Sequence, residues 1–283
     1  MLIDGSSLIF RSFYGVKTAS PAPDGRSINA VRGFVDSLTR LLYSRRPGHI
    51  AIAADADWRP QRRVDLIPSY KTHRTAEPVP PALIPQMAII EQLLARIGID
   101  FVGVEGLEAE DVIASWVEQM TGRIEIVSGD RDLFALVHDP DVLVLYPEKA
   151  GLAEIDESEV TRRYDIPGRH YSDFAVLRGD PSDGLPGLPG VGAKSAASMI
   201  RRYGTVEAVI ASGIISATGC EYLERAMAVT RPGSDQPVPL PAHGRTTWPA
   251  DRSGTSALAA ELGMQEGVDR LLRALTACVA GEV

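Results

Sequence analysis

Three short apolar runs of this sequence each end in an aspartate: Asp4 after Met1-Leu2-Ile3, Asp55 after Ile50–Ala54, and Asp130 after IEIVSG. In an open α/β sheet, ligands bind beyond the carboxyl ends of the strands, so acids from distant parts of the chain can meet on one edge. An Asp after a strand also starts turns and caps helices, and for any one of the three that is the stronger reading. For three together it weakens, and more acids follow. EGLEAEDVIASW opens a helical pattern with Glu105, Glu108, Glu110 and Asp111, where the positive end of the helix dipole favours acids in any case. Glu108 and Asp111 share a face at i, i+3, whereas Glu110 lies off it on an ideal helix. Asp132 follows Asp130 by two positions, and GDPSDG adds Asp180 and Asp183.

Two unit charges about 4 Å apart repel by roughly 4 kcal/mol at an effective dielectric of 20. A handful of gathered carboxylates therefore exceeds the roughly 5–15 kcal/mol by which a domain is stable. They must be scattered, partly protonated or neutralised by cations. With no His/Cys cluster in the sequence, an all-oxygen site points to Mg²⁺ or Mn²⁺ rather than zinc. An acidic pair of metal sites about 3.5–4 Å apart suits in-line displacement at a phosphodiester.

The segment after GDPSD has the opposite character. GLPGVGAKSAA places Gly187, Gly190 and Gly192 ahead of a helical pattern, with Lys194 in its first turn. Glycines let the backbone approach a ligand, and a helix N-terminus presents unpaired N–H groups to an anion. The spacing is not that of a Walker A loop, and a plain helix–turn–helix corner is the structural alternative. Basic residues concentrate in RPQRRVDLIPSYKTHR, which has five Lys/Arg against one Asp, a local charge of +4 before His73. A solvated loop is the ordinary reading of such a run. Because it leaves the strand that ends at Asp55, Arg59, Arg62, Arg63, Lys71 and Arg74 are candidates for a basic wall beside the acids. Tyr70 and Trp58 are candidates for stacking on bases.

Elements to position these groups are legible. Leu2-Ile3, Ile50–Ala54, Ile124–Val127 and Val142–Leu145 read as buried strands. Val31, Phe34, Val35, Leu38, Leu41 and Leu42 recur at helical spacing, as do Leu83 to Ile97 and Val112 to Met120. Alternating strands and helices imply an α/β fold with a mostly parallel sheet flanked by helices. After about Arg178 no strand pattern appears. A second, helical domain is expected over 178–283, with a helix near Lys194–Tyr203, loop over 231–256 and a last amphipathic helix over Ser256–Ala280.

The net charge of −8 speaks against a simple basic nucleic-acid binder unless acids and bases are segregated, as they are here. No apolar run approaches the roughly 18 residues of a membrane span, and the N-terminus lacks the basic flank of a signal peptide. Only two cysteines, Cys220 and Cys278, argue against a disulfide framework or a thiolate metal site, and a reducing cytoplasm is the default expectation.

IDGSSLIFRSFYG, AADA, SYKTHR, EGLEAEDVIAS, VSGDRDLFALV and LRGDPSDGLPGLPGVGAKSA, in this order and spacing, resemble the 5′ nucleases. These include the bacterial 5′–3′ exonucleases, the N-terminal domain of bacterial DNA polymerase I, and the flap endonucleases. The resemblance thins beyond Tyr203. It implies a PIN-like catalytic domain over 1–177, a helical arch over about 58–85, and a helix–three-turn–helix DNA clamp over about 180–204. By motif it implies Asp4, Asp55, Glu108, Glu110, Asp111, Asp130, Asp132, Asp180 and Asp183 as metal ligands, Lys71 and Arg74 as residues steadying the scissile phosphate, and a K⁺ ion in the clamp around Gly190 and Gly192.

Three positions depart from the family pattern. Glu110 stands where Asp is usual, a longer arm expected to alter metal spacing or favour Mn²⁺. Gly184 replaces an Asn, with an expected loss of a supporting hydrogen bond. Arg62 replaces an aromatic residue and adds charge to the arch.

The resemblance implies a stand-alone, monomeric nuclease associated with the nucleoid. It would act on branched or nicked duplex DNA with a 5′ flap or 5′ end, and on RNA primers, in replication and repair. A PIN-type ribonuclease would share the acidic strand ends but not the clamp. A non-catalytic binder of branched DNA would use the acids as structural caps.

Overall fold

The structure is a computed structural model and describes residues 1–16, 20–76, 79–233, 237–242 and 247–279. Along the chain come β1 (Leu2–Asp4), α1 (Gly5–Gly15), α2 (Asn29–Arg45), β2 (Ala51–Ala53), α3 (Gln61–Leu66), α4 (His73–Ala76), α5 (Ile84–Ile97) and β3 (Asp100–Val102). Then follow α6 (Ala109–Gln119), β4 (Ile124–Val127), β5 (Val142–Glu148), β6 (Gly151–Ile155), α7 (Glu157–Tyr164) and α8 (Tyr171–Arg178). The remaining helices are α9 (Ala193–Tyr203), α10 (Val206–Ala211), α11 (Ala217–Thr230), α12 (Arg252–Glu261) and α13 (Gln265–Val279). Two compact units result. One comprises Met1–Ala54, Val79–Gly103 and Pro239–Val283; the other comprises Asp55–Pro78 and Val104–Val238. A cut at 177/178 marks a change in sequence character, and these units cross it.

In the first unit, β1, β2 and β3 are parallel in the order β3-β2-β1, with Ile3 opposite Ile52 and Ile52 opposite Phe101. Leu2, Ile3, Ala51, Ile52 and Ala53 are all buried, as expected of parallel strands covered on both faces. The predicted stripe of α2 is buried from Val31 to Leu42, and α13 packs on this helix, burying its own Val268, Leu271 and Leu275. Each such side chain contributes about 1.5–3 kcal/mol of apolar burial. Buried Gln86 of α5 accepts from Ala30 N (2.8 Å) and donates to Asn29 Oδ1 (3.1 Å), so the start of α2 is tied to α5.

The single terminal helix expected over Ser256–Ala280 is corrected. Asp251 caps α12 by accepting from Gly254 N (2.9 Å), inside the stretch expected to be loop. The chain then turns at Gly263 (φ 60°) before α13 begins. Ala280 lies outside the described residues.

In the second unit, β4 and β5 are parallel, and β6 returns antiparallel along β5 with Tyr146 opposite Ala153. β3 and β6 were not among the expected strands: one has three residues, and the other is largely exposed, without an apolar run. Phe134, Tyr146, Tyr164, Tyr171 and Phe174 form an aromatic core with ring centroids 5.1–6.3 Å apart. Beyond Arg178 the described secondary structure is helical, as expected, and α9 matches the predicted helix. No helix among the described residues is long and apolar enough to cross a membrane.

Candidate metal and phosphate site

The start of α6 collects acids because its free N–H groups need acceptors. Glu108 is the N-cap residue, and its own N–H donates to Asp111 Oδ2 (3.2 Å). Asp55 Oδ1 accepts from Ala109 N (2.7 Å). After β4, Asp132 N donates to Asp130 Oδ1 (2.9 Å), folding DRD into a tight turn that leads into a short 3-10 helix. Asp180 accepts from Ser182 N (2.9 Å), and paired backbone bonds to Leu185 close the GDPSDGL turn, which presents Asp183. In the first unit, Asp4 caps α1 by accepting from Ser7 N (2.9 Å). Capping thus accounts for one bond each of Asp4 and Asp55.

The structure divides the acids by their cationic partners. Glu108 is held by Arg63, by the Tyr70 hydroxyl, by Lys71 Nζ (2.7 Å) and by Arg74 (3.1 Å). Asp111 accepts from Arg63 (2.8 Å) and Arg62 (3.0 Å). Asp180 is matched by Arg178 (3.1 Å) and Arg131 (3.2 Å). Burial alone would raise the Glu108 carboxyl, but Lys71 and Arg63 overcome it and hold the group at about 2.

Glu110, Asp130 and Asp132 form the other group, with oxygens that all lie within 4.8 Å of one another. Burial raises all three, against the opposing pull of Lys71 and Arg63 at Glu110 and of Lys71 at Asp130; their mutual repulsion and that of Asp183 add to it. Asp132 is only 3% exposed, and its Oδ2 has no hydrogen-bond partner. Asp183 stands with its Oδ1 3.8 Å from Lys71 Nζ. A buried orphan oxygen among carboxylates, with no nitrogen or sulfur donor in the group, fits a hard divalent cation. Although Glu110 is displaced from the Glu108/Asp111 face on an ideal helix, its longer arm reaches Arg63 and the Asp130 group together.

The basic segment is folded inward. Arg63 is 0% exposed and Tyr70 1%, so in this structure neither faces solvent as a DNA-contacting residue, and stacking of Tyr70 on a base is corrected to a hydrogen bond with Glu108. Lys71 is 2% exposed and is likewise an interior ion-pair partner. Arg59 donates to the carbonyls of Tyr70 (2.6 Å) and Pro68 (2.9 Å), closing the segment on itself. Arg74 stacks on the Trp58 ring at 4.4 Å. Desolvating Arg63, Lys71 and Arg74 is tolerated because each of them faces a carboxylate.

Glycines in the turn divide in the same way. A Cβ on Gly187 would lie 2.5 Å from the Arg178 carbonyl, so this glycine serves packing and is corrected from a DNA-facing role. Gly184 (φ 72°) leaves room for Ser69, whose carbonyl would be 2.0 Å from a Cβ; Ser69 Oγ donates to Gly184 O (2.6 Å) and Lys71 N to Asp183 O (3.0 Å). Gly184 thus lets the backbone of residues 69–71 dock on this turn. Gly190 and Gly192 face open space, and α9 begins with no side-chain cap beside exposed Lys194, an arrangement suited to a phosphate.

Arg131, Arg178 and Ser182 were not among the expected site residues. Their adjacency to Asp130 and Asp180 was the available signal, and only the fold shows that both arginines serve one carboxylate.

Carboxylates gathered at strand and helix ends of an α/β frame, continued by helices with an open glycine turn, define a nuclease architecture. Residues 1–165 match the family described as 5′-3′ exonuclease, N-terminal resolvase-like domain, and residues 166–226 match 5′-3′ exonuclease, C-terminal SAM fold. The chain belongs to the 5′–3′ exonuclease family and is a 5′ nuclease. A 5′-3′ exonuclease of Streptomyces coelicolor is 42% identical over 98% of this chain and 100% of its own length. One of Mycobacterium tuberculosis is 41% identical over 97% of each. Among solved structures, T5 5′-exonuclease with bound divalent metal ions (zinc) shares the fold with a TM-score of 0.65 at 18% identity, covering 99% of this chain and 98% of its own. The match to this family leaves the PIN-type ribonuclease without support.

Proposed function

We propose that this chain cleaves the flap strand of branched or nicked duplex DNA at or near a 5′ end, leaving a 5′-phosphate, with RNA primers among its substrates in replication and repair. The observation that carries this reading is the Glu110–Asp130–Asp132 group with its orphan Asp132 oxygen. Asp183, Glu108, Asp111, Asp55 and Asp180 are the further ligands or ligand-positioning acids of this reading, and Asp4 is a candidate by its motif alone. Mg²⁺ or Mn²⁺, when bound, supplies Lewis acidity and lowers the pKa of water at the scissile phosphate. Hydrolysis forms one P–O bond to water and breaks the bond to the 3′ oxygen, which takes up a proton.

Lys71 and Arg74 stand at Glu108, where they can offset charge developing on the phosphate. The open turn at Gly190–Gly192 and Lys194 grips duplex phosphates, with a K⁺ ion there as part of the same proposal. Residues 1–177, including an arch over about 58–85, then supply the chemistry together with Asp180 and Asp183, and the helical part over 178–283 the grip; residues 77–78 of the arch lie outside the described residues. The enzyme works as a monomer at the nucleoid.

The test uses a 5′-flap duplex labelled at the flap strand's 3′ end, with Mg²⁺, Mn²⁺ or EDTA and with Asp130→Ala beside the unaltered chain. Metal-dependent cuts near the junction, absent in the variant, are expected. Tight flap binding with no cutting in either metal would leave a non-catalytic binder instead.

A further inference from the structure

We infer that Arg63 is an internal cation that competes with a divalent ion for Glu108 and Asp111, so that metal loads in two unequal steps and the second releases α3. This rests on the metal-dependent reading above. The guanidinium of Arg63 is fully buried where the acids of the α6 start converge, with one nitrogen on Glu108, Glu110 and the Tyr70 hydroxyl and another on Asp111. A carboxylate oxygen bonded to this fork is not free to ligate an ion at the same time, and two cations a few ångströms apart repel. An ion at Glu108 and Asp111 therefore requires Arg63 to withdraw.

The group at Asp130 and Asp132 makes no such demand. Neither carboxylate has an arginine or lysine within salt-bridge distance among the described residues, and the Asp132 Oδ2 is buried without a hydrogen-bond partner. Only Glu110 is shared between Arg63 and this group. The first ion enters there, and the second pays for displacing Arg63. Because Arg63 rides on α3, its withdrawal frees that short helix and turns a guanidinium toward any phosphate nearby. By linkage, DNA phosphate and the second ion then favour one another's binding.

Calorimetric Mn²⁺ titration of the full chain without DNA, alongside Arg63→Met and Arg63→Lys, tests this. The unaltered chain is expected to show one strong and one weak class of site, or the strong class alone where Arg63 excludes the second ion. Arg63→Met is expected to tighten or create the second class by roughly tenfold or more, and Arg63→Lys to stay close to the unaltered chain. A second class in Arg63→Met no tighter than in the unaltered chain would overturn the inference. Should Arg63→Met fail to fold, hydrogen exchange in the unaltered chain decides. Amides of residues 61–66 should exchange faster as Mn²⁺ passes from the strong to the weak range, and constant exchange across the titration refutes displacement. Complete absence of metal binding would instead sink the metal-dependent reading itself.

Discussion

Glu108→Gln and Asp132→Asn each remove one negative charge from the same buried cluster, yet the structure sets opposite signs for their effect on the metal-free protein. Glu108 lies among Arg63, Lys71 and Arg74, which outweigh burial and hold its carboxyl at about 2 against an ordinary 4.5. That difference corresponds to about 3 kcal/mol of folding free energy, in line with the roughly 3–5 kcal/mol lost when one partner of a buried ion pair is removed. Glu108→Gln should therefore destabilise the chain by about 3 kcal/mol, lowering Tm by roughly 6–12 °C.

Asp132 is in the contrary position. Two charged oxygens 4.8 Å apart, the outer limit of its group, repel by about 3.5 kcal/mol at an effective dielectric of 20. Partial protonation already relieves some of this, so Asp132→Asn should stabilise the metal-free chain by about 1–2 kcal/mol. Urea and thermal unfolding followed by circular dichroism, at neutral pH with excess chelator, measures both. With saturating Mn²⁺ the order should widen for Glu108 and reverse for Asp132, because Asp132→Asn forfeits the stabilisation that a bound ion contributes. Shifts of both variants in one direction without metal, or a Glu108→Gln chain as stable as the original, would refute the division of the acids.

Other consequences follow from the same geometry. Burial and mutual repulsion raise Glu110, Asp130 and Asp132, so metal binding at neutral pH should expel protons and tighten as pH rises, visible as buffer-dependent calorimetric heats. For the chelated chain, carboxyls raised in the folded state favour folding as pH falls through their range, whereas Glu108 loses its contribution between 4.5 and about 2. Stability without metal should thus peak at mildly acid pH, and metal should flatten that profile. Gly184→Asn, which restores the residue usual in the family, should cost about 2 kcal/mol or more in urea unfolding, because its Cβ would meet the Ser69 carbonyl at 2.0 Å. Lys194→Ala should leave stability unchanged while weakening duplex binding uniformly and reducing its salt slope by about 1, measured by anisotropy at several salt concentrations.

Much of this protein was legible from its residues alone. The apolar spacing of α2, α5 and α6 is a local property of a few turns, and the buried runs of β1, β2, β4 and β5 are likewise local. So is the order of acidic, basic and glycine motifs that marks the family. Elements without a strong local pattern escaped: the three residues of β3, the exposed edge strand β6, and the break at Gly263 that divides the terminal helix.

The charge state of the site was not local either. Arg63 lies 45 residues from Glu108, and Arg131 lies 49 from Asp180; nothing in their spacing pairs them. From the sequence, the acids at α6, at DRD and in GDPSD look equivalent, and RPQRRVDLIPSYKTHR looks like one exposed basic wall. Tertiary packing makes them unequal. It brings Arg63 and Lys71 inside, onto Glu108 and Asp111, and leaves the Asp130 and Asp132 carboxylates without a salt bridge to either. The number and kind of residues are written in the chain, but the energy of a buried charge depends on its distance to every other charge and on the water excluded around it. Both are settled only when segments far apart in sequence pack together.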